Sequence, residues 1–270
     1  MNTSDDPGRT VSPAAHLDAV ARETARFVAA LEGADLSAPV PGCPGWTLLD
    51  LVRHTGSVQR WFSVLLRQRV QEPPRSREVE LRLPADEGGY GSWLTESAAE
   101  AAAACAVTDL DAPMWAWGAD HHARFWVRRM LFETLVHRTD AECAVGIRPV
   151  IDRDLAADGV AEFLVNLPFA TPFAPEVAHL RGNGETLLFR CTDTPEEAHG
   201  DWLVRLRPDG FRAERQPVGA ADTATADAAV SGAAADLLLL LYGRLDRGSE
   251  AFESHGDEEL LSRWFTNSAF

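Results

Sequence analysis

Apolar residues recur at helical spacing along the first part of the sequence, and this pattern constrains the fold more than any other feature. One stripe begins after Ser12-Pro13, and a second begins after Thr47, which makes a capping-box-like helix start with Asp50. An alanine-rich segment and a fourth periodic segment follow, the last closed by Gly146 and Pro149. The sequence therefore predicts helices over about 13–31, 48–70, 92–107 and 122–143.

Four helices of this length, without a strand signal between them, are typical of a four-helix bundle with one long connection. The second half has a different pattern. It predicts a helix over 153–165, strand-like runs over 186–191, 202–206 and 211–215, and then helices over 233–244 and 257–264. The predicted fold class is α+β, with a four-helix bundle over residues 1–150 and a smaller α+β domain over residues 151–270.

Composition narrows the range of partners. A net charge of −16 would repel nucleic acid and anionic membrane surfaces. The longest apolar run, near Ala233 to Tyr242, is well short of the roughly 20 residues that span a bilayer. Met1–Gly8 lacks the pattern of a secretory signal and is predicted to be a short disordered lead. We therefore expect a cytoplasmic protein, monomer or homodimer, that binds a small molecule and neither nucleic acid nor membrane.

The four cysteines indicate neither a disulfide framework nor a thiolate zinc knuckle. Cys43, Cys105, Cys143 and Cys191 are scattered without a C-x-x-C pair, so they are predicted to be reduced thiols. Cys43 lies near the start of the second helix, where a lowered pKa is one interpretation and an inert thiol the other. The sequence contains no P-loop, no G-x-G-x-x-G and no G-x-S-x-G motif.

Three residues form a candidate metal site. Glu133 and His137 lie four positions apart on one helical face, and the carboxylate needs a compensating charge if it is buried. His54 lies on the apolar stripe of the second helix, which is expected to face the bundle interior. Two histidines and one carboxylate match a ligand set of catalytic zinc sites, which leave coordination positions open. On the residues alone, a hydrogen-bonded Glu–His pair and a separate core histidine remain the more common arrangement.

Other candidates carry weaker signals. His121-His122 is predicted to cap or solvate the start of the fourth helix, and Trp115 and Trp117 either pack down or line the mouth of a pocket. The single histidines in polar surroundings are predicted to lie on the surface: His16, His179, His199 and His255.

Three segments resemble the signature segments of a known family, the mycothiol-dependent maleylpyruvate isomerases. They are Pro41–Thr47, Leu51–Gly56 and Glu133–Glu142. Members of that family combine a DinB-like four-helix N-terminal domain with a smaller α+β domain, and the resemblance covers essentially the whole chain.

The resemblance implies a metal site and a thiol cosubstrate. In the family a divalent metal, usually zinc, is held by residues that correspond here to His54, Glu133 and His137. Its open positions would accept the sulfur of mycothiol, a thiol of high-GC bacteria, and the lysine-free, arginine-rich composition fits such an origin. The family also uses an arginine from its C-terminal domain, for which Arg244 is one loosely matched candidate. No catalytic residue is assigned.

The expected function is that of a zinc-dependent, mycothiol-using enzyme, either an isomerase or a thiol S-transferase, acting on a small electrophile. A non-catalytic metal- or ligand-binding accessory protein on the same scaffold is the alternative, because fold resemblance does not fix function. A carrier of lipid or other hydrophobic molecules, based on the C-terminal domain, is a third hypothesis that rests on fold analogy alone.

Overall fold

The computed structural model describes residues 12–74, 79–193, 201–216 and 226–269. The chain divides into two compact units, one comprising Ser12–Val150 and the other beginning at Ile151. The predicted lead Met1–Gly8 and the histidine His199 lie outside the described residues. Across the described ranges, no helix combines the length and the apolar character that crossing a membrane would need.

The first unit contains the four predicted helices, α1 to α4. They span Pro13–Leu31, Leu48–Gln68, Tyr90–Ala106 and Ala123–Ala144. Thr47 and Asp50 form the predicted capping box at the start of α2. That helix ends at Arg69, which adopts a left-handed conformation with φ 47°, so it stops before Pro73-Pro74. The predicted bundle is confirmed: α1 packs chiefly against α4, and α2 packs chiefly against α3.

Close packing between α2 and α3 depends on a glycine beside the candidate site. A Cβ atom at Gly56 would lie 2.2 Å from the ring of Trp93 on α3, closer than atoms can approach. Glycine therefore allows the indole to pack directly against the α2 backbone. Trp93 is 3% exposed and belongs to an apolar cluster that includes Leu51 and Val52 of α2. This packing holds the α2 backbone in place at Gly56, two positions after His54.

A buried ionic network holds α4 against α1. Arg138 is 0% exposed, and its Nε donates to Glu23 of α1 at 2.7 Å. Its Nη1 donates to Glu142 at 2.7 Å, and Glu142 also accepts from Arg26 at 3.0 Å. Since Arg138 directly follows His137, the network also fixes the position of that histidine. The apolar periodicity of α1 and α4 gave no indication of these buried charges.

The described residues of the second unit form a mixed sheet and three α-helices. Its described strands are β1 to β5, at Thr186–Cys191, Asp201–Arg207, Gly210–Arg215, Ala228–Gly232 and Phe252–Gly256. They lie in the order β3-β2-β1-β4-β5, and only the β1–β4 pair is parallel. Helices α5, α6 and α7 span Arg153–Asn166, Ala234–Leu241 and Glu258–Asn267. The predicted α+β class is confirmed.

The sequence pattern predicts β1, β2 and β3 but gives no signal for the other two described strands. All five residues of β4 are buried, and it consists of alanine, valine, serine and glycine without an alternating pattern. Strand β5 is short, polar and largely exposed at the edge of the sheet. The predicted helix over 233–244 was too long: α6 ends at Leu241, because Gly243 has a φ of 72°.

Candidate metal centre

Two helices bring the predicted ligands together. His54 lies on α2, and Glu133 and His137 lie one turn apart on α4. Nε2 of His54 is 2.8 Å from Oε1 of Glu133, and Nε2 of His137 is 3.3 Å from the same oxygen. One ligand atom from each residue lies within 4.8 Å of the other two. The carboxylate therefore bridges two imidazole nitrogens that point toward one region.

The three side chains are half-buried. The exposed fraction falls from 31% for the His54 side chain through 24% for Glu133 to 12% for His137. The site is therefore reached from the His54 side, where a small molecule could approach. This geometry suits a centre that binds ligands from solution better than a closed structural site.

Trp46 forms an aromatic wall beside both histidines. Its ring centroid lies 5.0 Å from that of His54 and 6.3 Å from that of His137, with nearly parallel planes in the second pair. A compact turn places it there: Val40 donates to the carbonyl of Trp46, and Trp46 donates to the carbonyl of Cys43. Gly45 adopts φ 85° within this turn, a conformation that favours glycine.

Asp140 lies behind His137. Its Oδ2 is 3.0 Å from Nδ1 of His137, and the Cys43 thiol donates to the same oxygen at 3.4 Å. Asp140 is 2% exposed. A carboxylate on Nδ1 holds a proton there, which directs Nε2 toward Glu133 and prepares that nitrogen to bind a metal. The ring orientation is therefore fixed from both sides.

Electrostatic coupling shifts the pKa values of Glu133 and His137 in opposite directions. Burial raises the pKa of Glu133, but hydrogen bonds with His137 and His54 outweigh it, and the pKa falls well below its ordinary value. Burial lowers the pKa of His137, but Asp140, Cys43 and Glu133 outweigh it, and the pKa rises well above its ordinary value. Without a metal, the pair is a carboxylate and an imidazolium at neutral pH.

Arg129 adds a second positive charge on the other side of Glu133. Its Nη2 lies 3.4 Å from Oε2 of Glu133, and the residue is 4% exposed. Coulombic attraction to Arg129 is one further cause of the lowered Glu133 pKa. One carboxylate oxygen of Glu133 therefore faces the histidines, and the other contacts the Arg129 guanidinium.

Sequence comparison identifies the family. The model of the mycothiol maleylpyruvate isomerase N-terminal domain matches residues 17–142, and that of the MDMPI C-terminal domain matches residues 154–263. The chain belongs to the mycothiol maleylpyruvate isomerase family. Membership confirms the predicted resemblance and indicates an enzyme with a function like that of the mycothiol-dependent isomerases. No curated protein sequence matches the chain.

Solved structures support the same fold for this family member. The crystal structure of the mycothiol-dependent maleylpyruvate isomerase superposes with a TM-score of 0.59 at 16% identity, covering 94% of this chain and 95% of the other. A histidine-to-alanine mutant of that enzyme gives a TM-score of 0.59 at 15% identity, covering 90% and 93%. At this identity the likeness concerns the fold.

Two residues of the family segments contact the candidate ligands without having been predicted to do so, Trp46 and Asp140. Asp140 lies three positions after His137, so helical spacing already places it on the same face. Helical spacing does not reveal that it faces Nδ1. Cys43, His137 and Asp140 also have ligand atoms within 4.8 Å of one another. We interpret Asp140 as the support of His137, because its oxygen faces Nδ1 and is shared with a thiol donor.

The structure places the remaining candidates elsewhere in this family member. His16 was predicted to lie on the surface, which is wrong: it is 1% exposed, on the same face of α1 as Ala19 and Val20. His179 and His255 are exposed. His122 occupies the N-cap position of α4, but its side chain contacts Asp120 instead of capping the helix.

Two other candidates have structural contacts. Trp115 and Trp117 pack against the apolar cluster at the N-terminal end of α4. Arg244 donates from Nη1 to the carbonyl of Tyr242 just after α6, a contact typical of an arginine at a helix end. No catalytic role is assigned to it.

Proposed function

We propose that the protein is a zinc-dependent enzyme that uses mycothiol, either as an isomerase or as a thiol S-transferase, on a small electrophilic substrate. The observation that carries this proposal is the convergence of His54, Glu133 and His137, whose ligand atoms lie within 4.8 Å of one another. The family relationship supports the mycothiol part. The cytoplasmic location stays a prediction.

The donor set fits zinc. Zinc with ligand distances of about 2.0–2.2 Å separates neighbouring tetrahedral ligands by about 3.4 Å. The observed separations from Glu133 Oε1, 2.8 Å to His54 and 3.3 Å to His137, require only a small outward movement. Two imidazole nitrogens and one carboxylate oxygen leave room for a further ligand. Bound zinc would supply the positive charge that stabilises a thiolate at neutral pH.

The surrounding residues prepare the site for an anionic sulfur. Two neutral histidines and one carboxylate leave a formal charge of about +1 on a zinc site. Arg129 lies on the far oxygen of Glu133 and reduces the negative charge that an entering thiolate meets. Trp46 shields the histidine rings from water on one side, and Asp140 holds the Nδ1 proton of His137.

Two reactions follow from one nucleophile. If the mycothiol sulfur adds to an activated double bond, the bond becomes single and can rotate, and departure of the sulfur restores it with cis–trans inversion. If the sulfur displaces a leaving group, the new carbon–sulfur bond remains and the leaving group takes the electron pair. The same chain residues serve both reactions, so the substrate decides between them.

Metal analysis tests the first part. We expect about one zinc per chain after purification without added metal, and a loss of most of it in His54→Ala. His122→Ala is the matched control, because that histidine lies at the start of α4 and pairs with Asp120. A wild-type protein without zinc, or a His54→Ala variant that retains it fully, would contradict the proposed site.

Thiol binding and turnover test the second part. Mycothiol titrated into cobalt-substituted protein should produce a sulfur-to-cobalt charge-transfer absorption that His54→Ala lacks. Maleylpyruvate, which appears in the name of the solved relatives, is the test substrate for isomerisation. An alkylating bimane is the test substrate for S-transfer. Zinc binding without any thiol signal or turnover would favour the accessory-protein alternative, in which the metal stabilises the bundle.

A further inference from the structure

A cavity of about 390 Å³ lies in the helical bundle, apart from the candidate metal site. Residues of all four bundle helices line it, and His54, Glu133 and His137 are not among them. Exposed small side chains of α1 and α3 form its rim, including Ala25 and Ala102. Its floor consists of buried residues of α2 and α4: Gln59, Phe62, Val127 and Met130. Its volume falls within the range of about 300–1,000 Å³ typical of small-molecule sites.

The lining excludes charged ligands. Of the sixteen described residues that line the cavity, twelve have apolar side chains and none is charged. Burial raises the pKa of the Cys105 thiol to about 12, so this group is also neutral at physiological pH. A charged molecule would lose its hydration here without gaining an ionic partner. The ligand class is therefore neutral and largely apolar.

One amide supplies a polar anchor at the floor. Gln59 is 1% exposed, and its Nε2 lies 3.2 Å from the Thr134 hydroxyl and 3.4 Å from the Thr24 hydroxyl. Among the described residues, no hydrogen-bond partner reaches its Oε1. Buried amide oxygens are rarely left unpaired.

The amide can also be turned over, because both neighbours are hydroxyls that donate or accept. The unpaired group would then be the NH₂. A hydroxyl group on a ligand pairs with either end of the amide, whereas a carbonyl or an ether pairs with only one.

We propose that this cavity binds a neutral, apolar small molecule that carries a hydroxyl group, which hydrogen-bonds to the Gln59 side chain. A two-ring aromatic alcohol is small enough to enter this cavity. This site is separate from the thiol and electrophile site, so the proposal does not depend on zinc or mycothiol.

Binding of 1-naphthol and naphthalene to the full-length protein tests the proposal. Apolar transfer alone favours naphthalene, the less polar molecule. With the amide contact we expect 1-naphthol to bind about five-fold more tightly, at one molecule per chain. Equilibrium dialysis measures both affinities. Absence of 1-naphthol binding, or tighter binding of naphthalene to the wild type, would overturn the proposal.

Variants distinguish the contribution of the Gln59 amide to ligand binding from that of the cavity itself. Gln59→Leu should remove the preference for 1-naphthol, and a preference that persists would show that the amide is not the anchor.

Ala102→Phe fills the rim and should abolish binding of both probes. Ala103→Phe is the matched control, because Ala103 is an exposed neighbour on α3 that does not line the cavity. If Ala103→Phe weakens binding as much as Ala102→Phe, or if Ala102→Phe binds normally, the cavity assignment is wrong. Circular dichroism verifies the fold of each variant.

Discussion

Oδ2 of Asp140 lies 3.0 Å from Nδ1 of His137, on the opposite side of the imidazole from Glu133. A carboxylate in this position orients the ring and raises the basicity of the ligating nitrogen. Asp140 therefore affects the metal affinity of the site through His137, without lying at the metal position itself.

Asp140→Asn should weaken zinc binding about 10- to 100-fold, because the amide no longer supports His137 as a carboxylate does. Competition with a chromophoric chelator measures the affinity. Asp18→Asn, an exposed position on α1, is the control. Equal zinc affinities for Asp140→Asn and the wild type would show that the contact does not contribute to binding.

Zinc binding should release about one proton per chain at pH 7, because His137 has a raised pKa and must lose a proton to ligate. Below that raised pKa, zinc affinity should therefore increase with pH. An indicator dye in weakly buffered solution measures the release. Since the Asp140 hydrogen bond is the strongest cause that raises the pKa, Asp140→Asn should release less at the same pH. Identical proton release from both proteins would contradict this.

Trp46→Ala should weaken zinc binding about 2- to 10-fold, since both histidine rings lose an aromatic neighbour worth roughly 0.5–1.5 kcal/mol. Trp46→Phe, which keeps an aromatic ring, should retain most of the affinity. The chelator assay serves here as well. A similar loss in both variants would indicate that the size of the indole, and not ring contact, matters.

Arg138→Met should destabilise the bundle by about 3–5 kcal/mol, because Glu23 and Glu142 lose the charge between them. Urea denaturation of the metal-free protein measures the free energy of unfolding. Arg22→Met, at an exposed position on α1, should change it by less than about 0.5 kcal/mol. A small effect at Arg138 would mean that the carboxylates find other partners.

Gly256→Ala should destabilise the second unit by roughly 2–5 kcal/mol. Gly256 has a φ of 85°, and a Cβ there would lie 2.1 Å from the carbonyl oxygen of Asp227. Gly243 also has a positive φ, 72°, but no atom within 4 Å of the added Cβ, so Gly243→Ala should cost only about 1–2 kcal/mol. Thermal unfolding compares the two, and equal losses would exclude the steric explanation.

The sequence was sufficient for the bundle, because its helices follow from local periodicity, whereas the convergence of His54 with Glu133 and His137 was expected chiefly from the family resemblance. Glu133 and His137 share a face wherever a helix forms, and Thr47 with Asp50 fixes where α2 begins. The surface prediction for His16 is wrong because it rested on the polar surroundings of a single histidine, whereas its burial follows from its position on the buried face of α1.

Features that depend on distant pairing were not predictable in this way. Strand β4 has residues with weak strand propensity, and its form depends on burial between β1 and β5. The Arg138 network depends on side-chain directions across two helices. The contact of Asp140 with Nδ1 of His137 likewise requires a rotamer that spacing cannot specify.

The parallel pairing of β1 with β4 predicts a folding order for the second unit. Asp227 accepts hydrogen bonds from the backbone and hydroxyl of Thr186, 41 positions earlier, at the start of this pair. Strands β1, β2 and β3 pair in sequence order, whereas β4 joins only after a long chain segment closes. Sheets with non-local pairings fold slowly. We expect the late arrival of β4 to limit the rate at which the second unit becomes native.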